Sequence, residues 1–141
     1  MRYVTLLVIL FCVVPVHAQS DVPAIVTDGL VAYQKSGGEA AMAVWLKDSP
    51  IETDTTTRIN VVGGLAQIAT AYGKMVGYEV LRTVSISPSL KRIFVLGKFE
   101  KGPVFFSFDC YKADKSWTLP LINFNTKPNT ILPEGMLNGT N

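Results

Sequence analysis

The chain has 141 residues, of which 48% are apolar and 17% are charged, and its formal net charge is +2. A chain of this length suits one domain, since domains have roughly 100–200 residues, and it argues against a multidomain enzyme. The apolar content is enough for a packed core and argues against intrinsic disorder. The small net charge argues against a nucleic-acid partner, because nucleic-acid-binding domains are usually strongly basic.

Residues 1–18 have the pattern of a secretory signal peptide. An apolar run follows Arg2 and ends at Pro15. Val16 and Ala18 place small residues at the third and first positions before Gln19, which a signal peptidase reads. The run is shorter than the roughly 20 residues of a spanning helix, so we expect cleavage instead of a membrane anchor. The prediction is an exported protein, periplasmic or secreted, with no membrane span after cleavage and one domain over residues 19–141.

Cleavage would remove the only histidine, His17, and one of the two cysteines, Cys12. The remaining chain would then lack the histidine of Ser-His-Asp and Cys-His catalytic centres. It would also lack the ligands of histidine-containing or four-cysteine metal sites, and Cys110 would have no cysteine with which to form an intrachain disulfide. We therefore predict no catalytic residue, no metal site and no cofactor.

Helical patterns fill the first half of the predicted domain. Residues 24–34 carry apolar side chains at helical spacing, and residues 39–47 are rich in good helix formers. Asp54 and three threonines supply N-cap candidates for a third helix. Its apolar side chains recur every three or four residues and form a stripe expected to face the core, at Ile59, Val62, Ala66, Ala69 and Tyr72. A Gly-Gly pair interrupts this stripe. We interpret it as a close packing position and not as a phosphate loop, since no Lys-Ser/Thr follows.

From Tyr78 the apolar pattern alternates with a period of two, which indicates strands. Four strands are predicted, at residues 78–86, 92–100, 104–111 and 116–124. Their short links predict an antiparallel meander. The fold class is therefore α+β, with the N-terminal helices packed on one face of a curled antiparallel β-sheet. Residues 128–141 hold enough apolar side chains for one packed turn.

Three segments resemble the nuclear transport factor 2-like (NTF2-like) superfamily, a cone-shaped fold also called cystatin-like or SnoaL-like. They are YGKMVGYE at residues 72–79, FFSFDCY at residues 105–111, and WTL leading to LINFN at residues 117–125. The resemblance covers most of residues 22–137 and is to small exported bacterial members without an assigned function. It implies a helix-lined cone with a pocket, and dimers through the outer face of the sheet. Enzymes of the superfamily commonly use Asp with His or Tyr inside the cone, and the chain would lack that histidine after cleavage.

Alternation along the third strand sorts its residues into two faces. One face is wholly apolar and is expected to meet the helices; it carries Val104, Phe106, Phe108 and Cys110. The other face is mixed, with Phe105, Ser107, Asp109 and Tyr111, and is predicted to have Phe94, Leu96, Ile122 and Phe124 nearby. This outer face is too apolar for free exposure to water, which favours a homodimer through it. The alternative is cover by the C-terminal tail.

Five residues are candidates for ligand binding: Arg82, Tyr72, Trp45, Cys110 and Asn123. Arg82 is in phase with Val80 and Val84, which are expected to face the core, where a guanidinium needs an anionic ligand or a carboxylate. The alternatives are a bulge that turns Arg82 outward or an internal salt bridge. The alternative is a purely structural role in the core for Trp45, Tyr72 and Cys110. For Asn123 the alternative is a position in a turn.

The predicted function is that of an exported ligand- or protein-binding module with a small apolar pocket, whose ligand is a small apolar or anionic molecule. The alternative is a histidine-independent isomerase or dehydratase that acts on a small molecule in the cone with Tyr and Asp or Arg82.

Overall fold

The computed structural model describes residues 21–139, so the predicted signal peptide lies outside the described residues. The helices are α1 (Ala24–Ser36), α2 (Gly38–Trp45), α3 (Pro50–Thr53), α4 (Thr55–Tyr72), α5 (Pro128–Ile131) and α6 (Glu134–Leu137). The strands are β1 (Met75–Ser87), β2 (Leu90–Phe99), β3 (Gly102–Lys112) and β4 (Trp117–Asn125). The predicted α+β fold is confirmed, with helices N-terminal to a curled four-stranded sheet.

Local signals set the boundaries of the helices. The side chain of Ser49 accepts a hydrogen bond from the N–H of Ile51 at the start of α3, and Asp54 accepts one from Thr57 at the start of α4. Gly37 separates α1 from α2 with a φ of 85°, a conformation that costs glycine little because it has no Cβ. The four-residue helix α3 was not predicted, since so short a segment shows no periodicity.

The four strands form one antiparallel sheet in the order β1-β2-β3-β4, so β1 and β4 are its edges and the predicted meander is confirmed. The register between β2 and β3 is unbroken. Between β1 and β2 the register shifts three times, and β1 carries an extra residue at each shift: Val76, Leu81 and Ile86. Such bulges bend a strand and increase its twist, which accounts for the curl of the sheet at this edge.

The core lies between the helices and one face of the sheet. Val104, Phe106, Phe108 and Cys110 on this face are all 0% exposed, as predicted. The ring of Trp45 on α2 packs on two of them, with centroid distances of 5.1 Å to Phe108 and 6.4 Å to Phe106. Aromatic pairs at this spacing add to the free energy gained by burial, so the contact joins the helices to the sheet.

The opposite, outer face of the sheet is covered in part by the tail. Phe94 and Ser107 on this face are buried. The helix α5 packs on β3 and β4, and residues 130–133 of the tail line one cleft together with the side chains of Phe94 and Ser107. The alternative of cover by the C-terminal tail is thus confirmed for this region. Ile122 and Phe124 do not belong to the outer face as predicted. They lie opposite Phe108 and Phe106, on the core face.

Candidate functional site

Trp45, a predicted ligand contact, is enclosed in the core. Its side chain is fully buried, and its indole Nε1 donates a hydrogen bond to the backbone oxygen of Val26 at 3.3 Å. The ring lies against Gly29 of α1, where a Cβ would come within 2.5 Å of three indole atoms. The tryptophan therefore joins α1 to α2, and it lines neither the groove between the helices nor the cleft under the tail.

Cys110 is a buried thiol at the end of β3. Burial raises the pKa of Cys110 from 9.0 to about 12, and the nearby carboxylate of Asp109 contributes to the same direction. A thiol needs ionisation to act as a nucleophile, so this environment favours an inert core side chain over a reactive one.

We expect Cys110 to resist thiol reagents in the folded protein and to react quickly once the chain is unfolded. Above pH 9.0 the unfolded chain loses this proton while the folded chain keeps it up to about pH 12. Cys110 therefore contributes a loss of stability as the pH rises through that window. The measurement is the labelling rate with an aromatic disulfide at about pH 8.5, with and without denaturant. Similar rates in both conditions would contradict the burial of the thiol.

Arg82 lies on the outer face of the sheet, as the bulge alternative predicted. Val80 pairs with Val95 and Arg82 pairs with Phe94, so the extra residue Leu81 moves Arg82 to the face opposite Val80. The expectation that Arg82 faces the core in phase with Val80 is wrong, because that phase holds only for an unbroken strand. The Arg82 side chain is half-buried.

Tyr72 and Asn123 occupy two further places. Tyr72 ends α4, where its half-buried ring packs over Gly102. Asn123 of β4 is exposed on the outer face, and its Nδ2 lies 3.5 Å from the hydroxyl of Ser107. Trp45 and Cys110 both belong to the core, and Tyr72 packs against it. Arg82 and Asn123 lie on the outer face of the sheet, so the five residues do not form one site. Their role in ligand binding stays a prediction.

A groove runs between α2, α3 and the first half of α4, with a volume of about 720 Å³. We call it the helical groove, and it is lined by Glu39, Met42, Ala43, Leu46, Glu52, Thr55, Arg58, Ile59, Val62 and Gly63. Met42 and Leu46 lie buried beneath the groove, whereas Ile59 is 64% exposed. An isoleucine this exposed beside buried apolar side chains leaves apolar surface open to water.

The stripe predicted on α4 is not the face that meets the core. Leu65 and Ile68 are the buried residues of this 18-residue helix, and Val61 and Val62 pack against the core in part. The prediction that Ile59 belongs to a core-facing stripe is therefore wrong, since Ile59 lies on the side of the helix opposite Ile68. The interpretation of the glycine pair as a close packing position is confirmed for Gly64, where a Cβ would lie 2.8 Å from the Phe124 ring.

A second cleft, of about 600 Å³, lies where the tail crosses β3 and β4. Arg92 forms two hydrogen bonds to Asp109 there, Nε to Oδ1 at 2.6 Å and the second guanidinium nitrogen to Oδ2 at 2.7 Å. These bonds raise the pKa of Arg92. This ion pair was not predicted from the sequence, because its two residues lie on different strands and are far apart along the chain. Their shared position on the outer face could have indicated it.

Within residues 21–139, no group of three or more His, Cys, Asp or Glu side chains is arranged to hold a metal ion. In the same part of the chain, no helix combines the length and the apolar character needed to cross a bilayer. No protein-family model, curated protein or solved structure matches the chain.

Proposed function

We propose that the chain is an exported, NTF2-like binding module that takes a small, mainly apolar ligand in the helical groove. The observation that carries the proposal is the groove itself, whose volume of about 720 Å³ lies within the range of small-molecule sites. The apolar surfaces of Ile59 and the half-buried Val62 supply the driving force, since a ligand would remove them from water. The signal-peptide pattern of residues 1–18 supports export, and the α+β arrangement is compatible with the NTF2-like assignment.

The polar groups of the groove favour a ligand with one polar end. Arg58 lines the groove and forms no ion pair with any residue in the range 21–139, whereas the carboxylate of Glu52 accepts the N–H of Asp48. A guanidinium at the edge of an apolar groove binds a carboxylate or a similar anion well. We therefore include in the proposal an anionic end near Arg58. Catalysis in the cone is not proposed, because the residue named for it, Arg82, lies on the outer face.

The test is binding of an apolar fluorescent anion, anilinonaphthalene sulfonate, to the purified protein and to two variants with the same substitution. Ile59→Glu puts a carboxylate into the groove, and Ile86→Glu puts one on a comparably exposed site of β1, since the two isoleucines are 64% and 55% exposed. We expect Ile59→Glu to weaken binding by about tenfold or more. The substitution removes apolar contact surface, and the added carboxylate would have to lose water beside the ligand and would repel its negative charge.

Ile86→Glu is expected to leave the affinity unchanged, and circular dichroism checks that both variants fold. Equal loss in the two variants, or loss only in Ile86→Glu, would contradict a site in the helical groove. Native mass spectrometry of the protein from its own host complements this test. A retained mass that Ile59→Glu abolishes would identify the ligand.

A further inference from the structure

Exposed apolar side chains are concentrated on one edge of the sheet. Ten large apolar residues are exposed within residues 21–139, and five of them belong to β1: Val76, Val80, Leu81, Val84 and Ile86. β1 is an edge strand of 13 residues, so its outer backbone groups have no neighbouring strand of the sheet to pair with. An exposed apolar edge strand is a template for pairing with another strand, and the three bulges of β1 limit the length over which it can pair.

The register of β1 makes this edge complementary to itself. Glu79 pairs with Leu96 and Arg82 pairs with Phe94, and since these partners are two residues apart on β2, both charged side chains lie on the outer face. The bulge at Leu81 is responsible, because residues three apart on a regular strand point to opposite faces. Two copies of β1 related by a twofold axis normal to the sheet can therefore bring each Glu79 opposite an Arg82 on the same face.

We propose that β1 is a homodimer interface in which two copies pair edge to edge and antiparallel over residues 77–84, with Glu79 of one copy opposite the partner's Arg82. The axis passes between Val80 and Leu81, whose side chains are 39% and 38% exposed in the single chain and become covered on pairing. The two sheets then form one continuous sheet of eight strands.

In the other residue pairs of this register, the two side chains also lie on the same face of the sheet. Tyr78 falls opposite Thr83, and both lie on the core face because their partners are Gly97 and Ile93. The same holds for Gly77 and Val84, which share the outer face. Each pair therefore keeps its side chains on one face, as a continuous antiparallel sheet requires.

Charge also selects this register over others. A register centred on Glu79 or on Arg82 would put like charges opposite each other, which is destabilising. Glu79 forms an ion pair with Lys98 at 2.5 Å, so the partner's Arg82 would join an existing exposed ion pair. Pairing stops near Val76, since the side-chain amide of Gln34 already donates a hydrogen bond to its carbonyl oxygen at 3.0 Å.

Sedimentation velocity over a range of concentrations tests the dimer with a charge swap. Glu79→Arg places two arginines of one copy opposite two of the other, and we expect the dimer dissociation constant to rise by about tenfold or more. The double variant Glu79→Arg/Arg82→Glu restores opposite charges across the interface and is expected to recover the wild-type value within about threefold. Lys98→Met removes the ion pair within one chain and is expected to leave the dimer intact.

A wild-type chain that stays monomeric at about 100 μM would overturn the proposal. So would a double variant that is no tighter than Glu79→Arg, or a dimer that is broken by Leu121→Lys on the outer face of β4 and not by Glu79→Arg.

A cross-link provides a second measurement that does not depend on charge. In the proposed register the two Leu81 Cα atoms are about 6 Å apart, from the spacing and rise of strands, which suits a disulfide. Leu81→Cys is expected to give a disulfide-linked dimer under mild oxidation, whereas Ile59→Cys, at an exposed site far from β1, is not. Equal cross-linking of both variants would contradict the interface.

Discussion

Replacing Trp45 by alanine is expected to lower the free energy of unfolding by about 3–5 kcal/mol, the range for large aromatic side chains in a core. The indole is fully buried and contacts Tyr33, Phe106 and Phe108, so the substitution leaves a cavity between the helices and the sheet. It also removes the hydrogen bond to the Val26 carbonyl. The free energy of unfolding of a typical domain is about 5–15 kcal/mol, so this one substitution would remove a large part of it.

Denaturant unfolding followed by circular dichroism measures this loss, with Trp117→Ala as the matched control. Trp117 is half-buried at the start of β4, where Lys91 and Lys112 lie over its ring at 5.5 and 5.0 Å from the centroid. We expect Trp117→Ala to lose less than half as much stability. Water can fill the space of its half-buried side chain, so no cavity forms. Equal losses would mean that Trp45 does not organise the core.

Gly29→Ala is expected to destabilise the protein by about 2–3 kcal/mol, although alanine favours a helix by about 1 kcal/mol over glycine. A Cβ at this position would lie within 2.5 Å of three atoms of the Trp45 indole. A rigid buried ring cannot move aside without disturbing its contacts with β3, so α1 and α2 would have to separate.

The control is Gly63→Ala on α4, where a Cβ would meet no atom within 4 Å. This variant is expected to be as stable as the wild type or up to about 1 kcal/mol more stable, as helix propensity alone predicts. Combining Gly29→Ala with Trp45→Ala gives a further check, since the methyl group would then enter the space left by the indole. The two losses are expected to be clearly less than additive, and strict additivity would contradict a direct clash.

The apolar face of β3 shows where sequence patterns suffice. Its alternation assigned Phe106 and Phe108 to the core, and both are fully buried against the helices. Strand periodicity is a property of the backbone, so it holds wherever the strand is regular. On β1 the same reasoning failed for Arg82, because the extra residue at Leu81 reverses the faces beyond it. Nothing in the sequence LRTV indicates a bulge.

The candidate site could not be predicted from the chain for a related reason. The stripe predicted on α4 includes Ile59, which is exposed in the helical groove, whereas the buried residues of this helix are Leu65 and Ile68. Ile59 and Ile68 are about two and a half helical turns apart, so they lie on opposite sides of the helix. Periodicity describes which residues share a helix face. It does not say which of two apolar faces touches the core.

The sequence by itself determined the α+β class, the order of three long helices before four strands, the meander and the core face of β3. These features depend on local periodicity, on caps such as Asp54 and on short turns, all of which act within a few residues. Only the tertiary structure decided the position of Arg82, the cover of Phe94 by the tail, and the opening of the helical groove. These depend on register shifts and on contacts between distant segments, which a local pattern does not encode.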